Sequence, residues 1–382
     1  MRKIVCLATS PWYPIPTRKQ QVMSRIPDAE ILYFDPSVTY LAPLKDKAAR
    51  PGLSNYKKEG VHPQENITVY SLPPVLPFFY KFRWINKLNQ RRMARFVRRK
   101  MREHGFTDAV LWVYSPVTAD LVDLVPHKGL VYDCVDRHSA YGGLMDPALV
   151  DRMELELAGK TDRTFATADA LAERLRAAQP NTVMIPNGAN FERFVQAAQP
   201  QPVPEDLRDI PHPIFGFVGA LQSCIEYDYL EAAAKARPDW SFVLIGKEKP
   251  GVDLTVLHAM PNVHFLGLKP NEQLPQYLAH FDACLNLFAK SDLSKDVSPL
   301  KFYEYLATGR PIVSTRQPDQ ILQYAPLIEI ADSQEEFIAA CEASLTDTAS
   351  ERTKARIEAG RACSWDSRVA QMCEILQEQR IL

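Results

Sequence analysis

Ala283-Cys284-Leu285-Asn286-Leu287-Phe288, followed by Ser298-Pro299-Leu300-Lys301-Phe302-Tyr303-Glu304-Tyr305-Leu306-Ala307-Thr308-Gly309-Arg310 and then Pro311-Ile312-Val313-Ser314, decides how the chain folds. The first and last runs are short and apolar, so they read as buried strands. Between them Leu300, Tyr303, Leu306 and Ala307 recur at helical spacing. Ser298 suits the N-cap and Pro299 the first helical turn. A strand, a helix and a strand in that order predict a parallel sheet covered by helices.

The same alternation extends in both directions. Upstream, residues 4–8, 67–72, 109–113, 130–134, 163–167 and 183–185 read as strands, and 147–159 and 168–178 as helices. Residues 37–66 have no clear period and read as a long loop with some local structure. Residues 196–213 carry Pro200, Pro202, Pro204, Pro211 and Pro213 without an apolar pattern, which predicts a linker. Beyond it, 214–218, 241–245, 263–266, 283–288, 311–314 and 327–330 read as strands, with helices over 229–236, 274–280, 299–308 and 334–345. The expectation is therefore two Rossmann-like doubly wound α/β domains, 1–195 and 214–362, joined by the linker 196–213. A final helical segment, 363–382, carries Trp365, Val369, Met372 and Leu376 on one stripe. Ligands of such sheets sit beyond the carboxyl ends of the strands, which places the expected site in a cleft between the two domains.

Composition narrows the function classes. The chain has 382 residues, 46% hydrophobic and 24% charged, with a net charge of −1. No overall field points to nucleic acid or membrane. Cysteines 6, 134, 224, 284, 341, 363 and 373 include no C-x-x-C pair and read as buried thiols. The apolar run 4–8 is too short for a signal-peptide core, and no run reaches the roughly 18–20 apolar residues of a membrane span. These readings predict a cytoplasmic protein, free or held at a membrane surface.

A helix start gathers unpaired backbone N–H groups and favours an anion. Lys301 adds a cation in the first turn, and Glu304 lies one turn on, where its carboxylate can accept from two ribose hydroxyls. Residues 298–313 resemble the donor-site signature of the GT-B glycosyltransferases, group 1 type. Asp296 and Glu304 have the family's acidic spacing, with seven residues between them and Asp in place of the usual first Glu. Phe217-Val218-Gly219-Ala220 resembles the glycine turn of the second domain, and Asn262-Val263-His264-Phe265-Leu266-Gly267 the strand that meets the nucleobase. Ile185-Pro186-Asn187-Gly188 resembles the segment leading to the hinge. The terminal helix resembles one that crosses back onto the first domain.

The resemblance implies a glycosyltransferase of hexosyl type with a UDP-sugar donor. It assigns donor binding to Gly219, Phe265, Leu266, Asp296, Ser298, Pro299, Leu300, Lys301 and Glu304. Many relatives carry an Arg after the glycine turn and a Lys a few residues later, where this chain has Ala220 and Cys224. Lys301 then carries more of the diphosphate charge and is expected to stabilise the leaving group. No Asp-x-Asp metal motif is evident, so neither a cofactor nor an obligatory metal is expected. Within the family the nearest resemblance is to bacterial enzymes of polysaccharide and teichuronic-acid assembly, in which Trp12, Arg18 and Gln20 have counterparts.

On the acceptor side, Trp12 and Arg18 lie in a proline-rich loop after the first strand, with Thr17 placed to cap a helix from Arg18. Asp133, Asp136 and His138 lie at a strand end. An inverting reaction needs a general base at the acceptor hydroxyl, and Asp136, then Asp133, are the candidates. A retaining reaction needs none, and these residues then orient the acceptor, as Trp12, Arg18 and His138 do. Residues 81–102 hold ten basic residues and no acidic one, with Phe82 and Trp84 among them. Trp84, Leu88, Met93, Phe96 and Val97 form an imperfect apolar stripe. A cationic, aromatic-rich helix reads as an element docked on an anionic membrane surface. The combined expectation is transfer from a UDP-sugar to a lipid-linked or polysaccharide acceptor at the inner face of the membrane. Two alternatives stay open: a nucleotide-sugar 2-epimerase of the same fold, and an inactive nucleotide-binding partner. Donor sugar, base, acceptor, stereochemistry and oligomeric state are not read from these residues.

Overall fold

A computed structural model of the chain describes residues 1–291, 294–347 and 350–382. Packing divides it into two units, Met1–Pro186 with Val369–Leu382, and Asn187–Arg368. The first unit holds an eight-stranded sheet: β1 (Arg2–Leu7), β2 (Ala29–Asp35), β3 (Val61–Gln64), β4 (Ile67–Ser71), β5 (Val110–Val113), β6 (Gly129–Cys134), β7 (Arg163–Ala166) and β8 (Val183–Met184). Their spatial order is β3-β4-β2-β1-β5-β6-β7-β8. Every pairing is parallel except β3 with β4. The strand order reverses between β1 and β5, the switch point where such sheets bind ligands.

The second unit holds β9 (Ile214–Val218), β10 (Ser241–Ile245), β11 (Val263–Gly267), β12 (Ala283–Asn286), β13 (Ile312–Thr315) and β14 (Glu329–Ala331). Their order, β11-β10-β9-β12-β13-β14, is the 3-2-1-4-5-6 arrangement of a doubly wound sheet. Alternation along β9 shows why this strand is central. Ile214 and Val218 enter one apolar cluster with Phe302 and Leu306, whereas Phe215 and Phe217 enter another with Trp240 and Leu230. Side chains of period two feed both faces, and both faces are covered. Burying each such aromatic contributes about 1.5–3 kcal/mol.

Two of three local expectations change. Residues 196–213 do not form a free tether: Ala197 and Leu207 are buried, and Asp206 bonds both Lys269 and Tyr277. The prolines there suppress regular structure without detaching the segment. The local structure expected within the loop 37–66 is a turn of helix (Ala42–Lys45), two 3₁₀ turns and β3. The basic helix spans Arg83–Glu103, but its inner face is Ile85, Gln90, Met93, Ala94, Phe96, Val97 and Met101. Trp84 and Leu88 lie outside at 63% and 46% exposure, among the arginines.

Candidate functional site

The candidate donor residues cluster at the carboxyl ends of β9 to β12. The helix Leu300–Thr308 follows β12 and stops at Gly309, whose φ of 73° closes it in the left-handed conformation. Tyr305 fixes this helix to β9: its hydroxyl accepts from Val218 N–H at 2.8 Å, next to Gly219. Gly219 itself donates its N–H to Ile245 O at 2.9 Å. A Cβ at Gly246 would lie 1.7 Å from Gly219 O, so the turn requires a second glycine that sequence reasoning did not single out. In sequence its signal is only a glycine directly after β10.

Ser298 does not cap the helix. Its Oγ accepts from Asn187 N–H at 3.0 Å, and Pro299 occupies the cap position, so the helix begins at Leu300. Asn187 in turn donates Nδ2–H to Ser298 O at 3.1 Å. Asn187 is thereby tied to the segment that leads into the helix Leu300–Thr308, and Ser298 serves as an anchor rather than a cap.

Lys301 and Glu304 face each other, with Nζ 2.7 Å from Oε2. Glu304 is 7% exposed, and burial raises its pKa against the lowering effect of Lys301 and Arg193. The cation in the first turn therefore has an internal counter-ion, where the sequence suggested that it waits for an external one. Lys301 also sits 5.9 Å over the Phe194 ring. Asp296 is buried in the 3₁₀ turn Ser294–Asp296 just before the helix. Phe265 is stacked on His258 at 3.9 Å between centroids, and Leu266 is half-buried beside it in β11.

Ala220 and Cys224 offer no charge, but the backbone supplies neighbours that do. Leu221 N–H donates to Lys247 O at 3.0 Å, and Lys249 N–H to Leu221 O at 2.9 Å. This short parallel bridge brings two exposed lysines alongside the glycine turn. They lie 28 and 30 residues downstream of Gly219, outside the reach of a local motif.

The candidate acceptor residues lie in the first unit, around the ends of β1 and β6. The loop after β1 is held by Trp12 N–H donating to Asp35 Oδ1 at 2.8 Å, and by the Trp12 ring edge-on to Tyr33 at 4.9 Å. Burial pushes the Asp35 carboxyl up to about 6, opposed by the Trp12 bond. The short helix Arg18–Met23 begins after Thr17, whose N–H donates to Gln20 Oε1 at 2.9 Å. Gln20 Nε2 reaches back to Pro11 O at 2.5 Å.

Arg18 and Asp133 meet each other. Arg18 Nε donates to both carboxylate oxygens, at 3.1 and 2.9 Å, and Nη1 to Pro186 O at 2.9 Å. Arg18 is 4% exposed and Asp133 fully buried. Asp133 is therefore a structural counter-ion, not a base open to an acceptor, and Arg18 is spent on holding it. His138 is also inside: Nε2–H donates to Tyr114 O at 3.0 Å, and burial lowers its pKa. Trp12 and His138 thus shape the loops from beneath. Asp136 is the exposed carboxylate of the group, accepting from Tyr141 OH at 2.9 Å. Lys19, not foreseen, is 8% exposed and lies 5.6 Å over the Tyr114 ring. Burial lowers its pKa, and Asp136 and Asp133 oppose that shift.

Residues 212–347 match the family described as Glycosyl transferases group 1. A Bacillus subtilis (strain 168) protein, provisionally named teichuronic acid biosynthesis glycosyltransferase TuaH, is 26% identical over 260 residues. That match covers 64% of this chain and 65% of the relative. Among solved structures, sucrose-phosphate synthase from Thermosynechococcus elongatus superposes with a TM-score of 0.71 at 14% identity, over 99% of both chains. The Escherichia coli trehalose-6-phosphate protein bound with UDP-2-fluoro glucose gives 0.69 at 12% identity, over 98% of both. Anabaena HepE in complex with UDP and glucose gives 0.65 at 15%, over 99% of this chain and 100% of that one. The chain has the GT-B fold, and its residues 212–347 match the glycosyl transferases group 1 family.

Proposed function

We propose that the protein transfers a sugar from a UDP-sugar to a lipid-linked or polysaccharide acceptor. The observation that carries this reading is the Lys301–Glu304 pair at the start of the helix Leu300–Thr308, locked through Tyr305 to the glycine turn at Gly219. In this reading Glu304 accepts from the ribose hydroxyls. Lys301 turns from Glu304 to the diphosphate and offsets the charge that develops as the glycosyl bond breaks. Lys247 and Lys249 add the charge missing at Ala220 and Cys224. Gly219 and Gly246 let the backbone approach the phosphates, and Phe265 and Leu266 contact the base. Asp296 lies toward the donor sugar, and Ser298, Pro299 and Leu300 present the helix start. The reading calls for no metal ion, so EDTA is expected to leave turnover unchanged.

In an inverting reaction Asp136 takes the acceptor proton; in a retaining one it orients the hydroxyl. The exposed basic face of Arg83–Glu103, with Trp84 and Leu88 among its arginines, supports docking on an anionic membrane surface. No helix among the described residues is long and apolar enough to cross a membrane. The test is a screen of UDP-sugars for donor turnover, run with wild type and Lys301→Ala. Turnover of at least one donor, lost in the variant, supports the reading. UDP binding without turnover on any donor or acceptor points instead to an inactive nucleotide-binding partner.

A further inference from the structure

Three segments of the first unit, residues 39–44, 75–82 and 84–92, are fastened to one another. Thr39 pairs with Val75, and Tyr40 N–H donates to Val75 O at 3.0 Å. Asn89 accepts from Leu76 N–H at 2.9 Å and donates Nδ2–H to Leu76 O at 3.0 Å. The Arg92 guanidinium donates to the Tyr40 hydroxyl and lies 5.6 Å over its ring. Two loops are thereby joined to the first half of the helix Arg83–Glu103.

Each segment exposes two large apolar side chains: Leu41 and Leu44, Leu76 and Phe78, Trp84 and Leu88. Leu44 is 82% exposed. Phe78 stands in a turn with φ 64°, a conformation uncommon for a bulky residue. Its carbonyl accepts from Lys81 N–H at 3.0 Å and Phe82 N–H at 2.9 Å, which fixes the turn. Apolar residues exposed singly are ordinary, but a clustered set rimmed by charge marks a surface that is covered in use.

The charge selects the cover. Lys45, Lys47, Lys81, Lys87, Arg91 and Arg95 are exposed on or beside these segments, and residues 75–102 contain no acidic side chain. Asp46, next to Lys45, is turned to its own backbone and accepts from Ala48 N–H at 2.9 Å. A second copy of the chain brings the same cations and is repelled. Nucleic acid neutralises the cations but leaves four exposed leucines against water. An anionic bilayer satisfies both, because long basic side chains reach its phosphates while their apolar neighbours enter the acyl boundary.

We infer that Leu41, Leu44, Leu76, Phe78, Trp84 and Leu88 form one insertion face that enters the acyl region of an anionic bilayer. The inference rests on the membrane docking proposed above and deepens it. Attachment is by insertion as well as by charge, and the loop 39–44, outside the basic helix, takes part in it.

Trp84 reports on this face, because Trp12, Trp112, Trp240 and Trp365 are buried. The full chain is titrated with vesicles of phosphatidylcholine and phosphatidylglycerol, with and without bromine on the acyl chains. Binding is expected to shift the emission to the blue, and brominated chains to quench it. Leu44→Ser alters no charge and is expected to weaken vesicle binding about 10-fold. Its UDP affinity is expected to stay at the wild-type value, which shows that the variant folds. Binding without quenching, or unchanged vesicle affinity in Leu44→Ser, overturns insertion and leaves docking by charge alone. No binding to the vesicles overturns insertion and docking together. Two further results also overturn the inference: self-association in sedimentation velocity that Leu44→Ser abolishes, without vesicle binding, and tighter binding to duplex DNA than to the vesicles.

Discussion

The buried pair Arg18–Asp133 makes a sharp prediction, because sequence offered both residues as contacts for substrate and the structure makes them contacts for each other. Replacing Asp133 by Asn keeps the shape and removes the charge. Arg18 is 4% exposed, and its Nε is held by both Asp133 oxygens at 2.9 and 3.1 Å. The guanidinium cannot turn to water without unpacking its loop, and Lys19, 8% exposed, lies close by with the same sign. Breaking a buried pair from one side costs about 3–5 kcal/mol. For a unit of this size that lowers the midpoint of thermal unfolding by roughly 10 °C. Differential scanning calorimetry measures it, with UDP titration as a control on the second unit. The expected outcome is a destabilised first unit with UDP affinity within about twofold of wild type. Asp136→Asn, at an exposed site, is expected to shift stability by no more than about 0.5 kcal/mol and, in an inverting reaction, to slow transfer by about 10²–10⁴. If Asp133→Asn unfolds at the wild-type temperature while abolishing transfer, the structural assignment of Asp133 is refuted.

Other outcomes follow from the same geometry. Folding raises the Asp35 pKa from 3.8 to about 6. The folded state thus holds the extra proton between those values, and stability falls as pH rises through that window; Asp35→Asn is expected to flatten this segment of a pH–stability curve. Folding lowers the Lys19 pKa below 10.5, so the unfolded state binds more protons between the folded value and 10.5. Stability contributed there rises with pH, and denaturant titrations of Lys19→Met are expected to lose that rise. Neutralising Arg91, Arg92, Arg98 and Arg99 removes about 1 kcal/mol each at an anionic surface, so sedimentation with anionic vesicles is expected to weaken by about 100-fold or more. Unchanged binding to those vesicles would exclude the membrane role of this helix.

The sequence disclosed strands whose runs are bounded by turn residues, and the helix that follows β12. It was weaker where a run is short. Ile31-Leu32-Tyr33-Phe34 lies between Glu30 and Asp35 and is central β2, yet four apolar residues between charges carry no period of their own. Hydrophobicity alone puts Trp84 and Leu88 on one apolar stripe with Met93, Phe96 and Val97, but the first two share the outer face with the arginines while the last three are buried. Ser298 has the chemistry of a cap, and Asn187, 111 residues away, takes it instead. Arg18 and Asp133 are 115 residues apart, so no spacing announces their pairing. The recruitment of Lys247 beside the glycine turn is likewise a product of sheet order, which places β10 next to β9. Site residues near one another in sequence were legible as a group; those brought together by the sheet were not.

The central claim is that Glu304 and Lys301 hold the nucleotide. Calorimetric titration of UDP into wild type and Glu304→Ala tests it most directly. A charge-assisted hydrogen bond contributes about 1.5–3 kcal/mol, and each 1.4 kcal/mol is tenfold. The account predicts about 100-fold weaker UDP binding in Glu304→Ala with thermal stability retained, and equal affinity in the two proteins would contradict it.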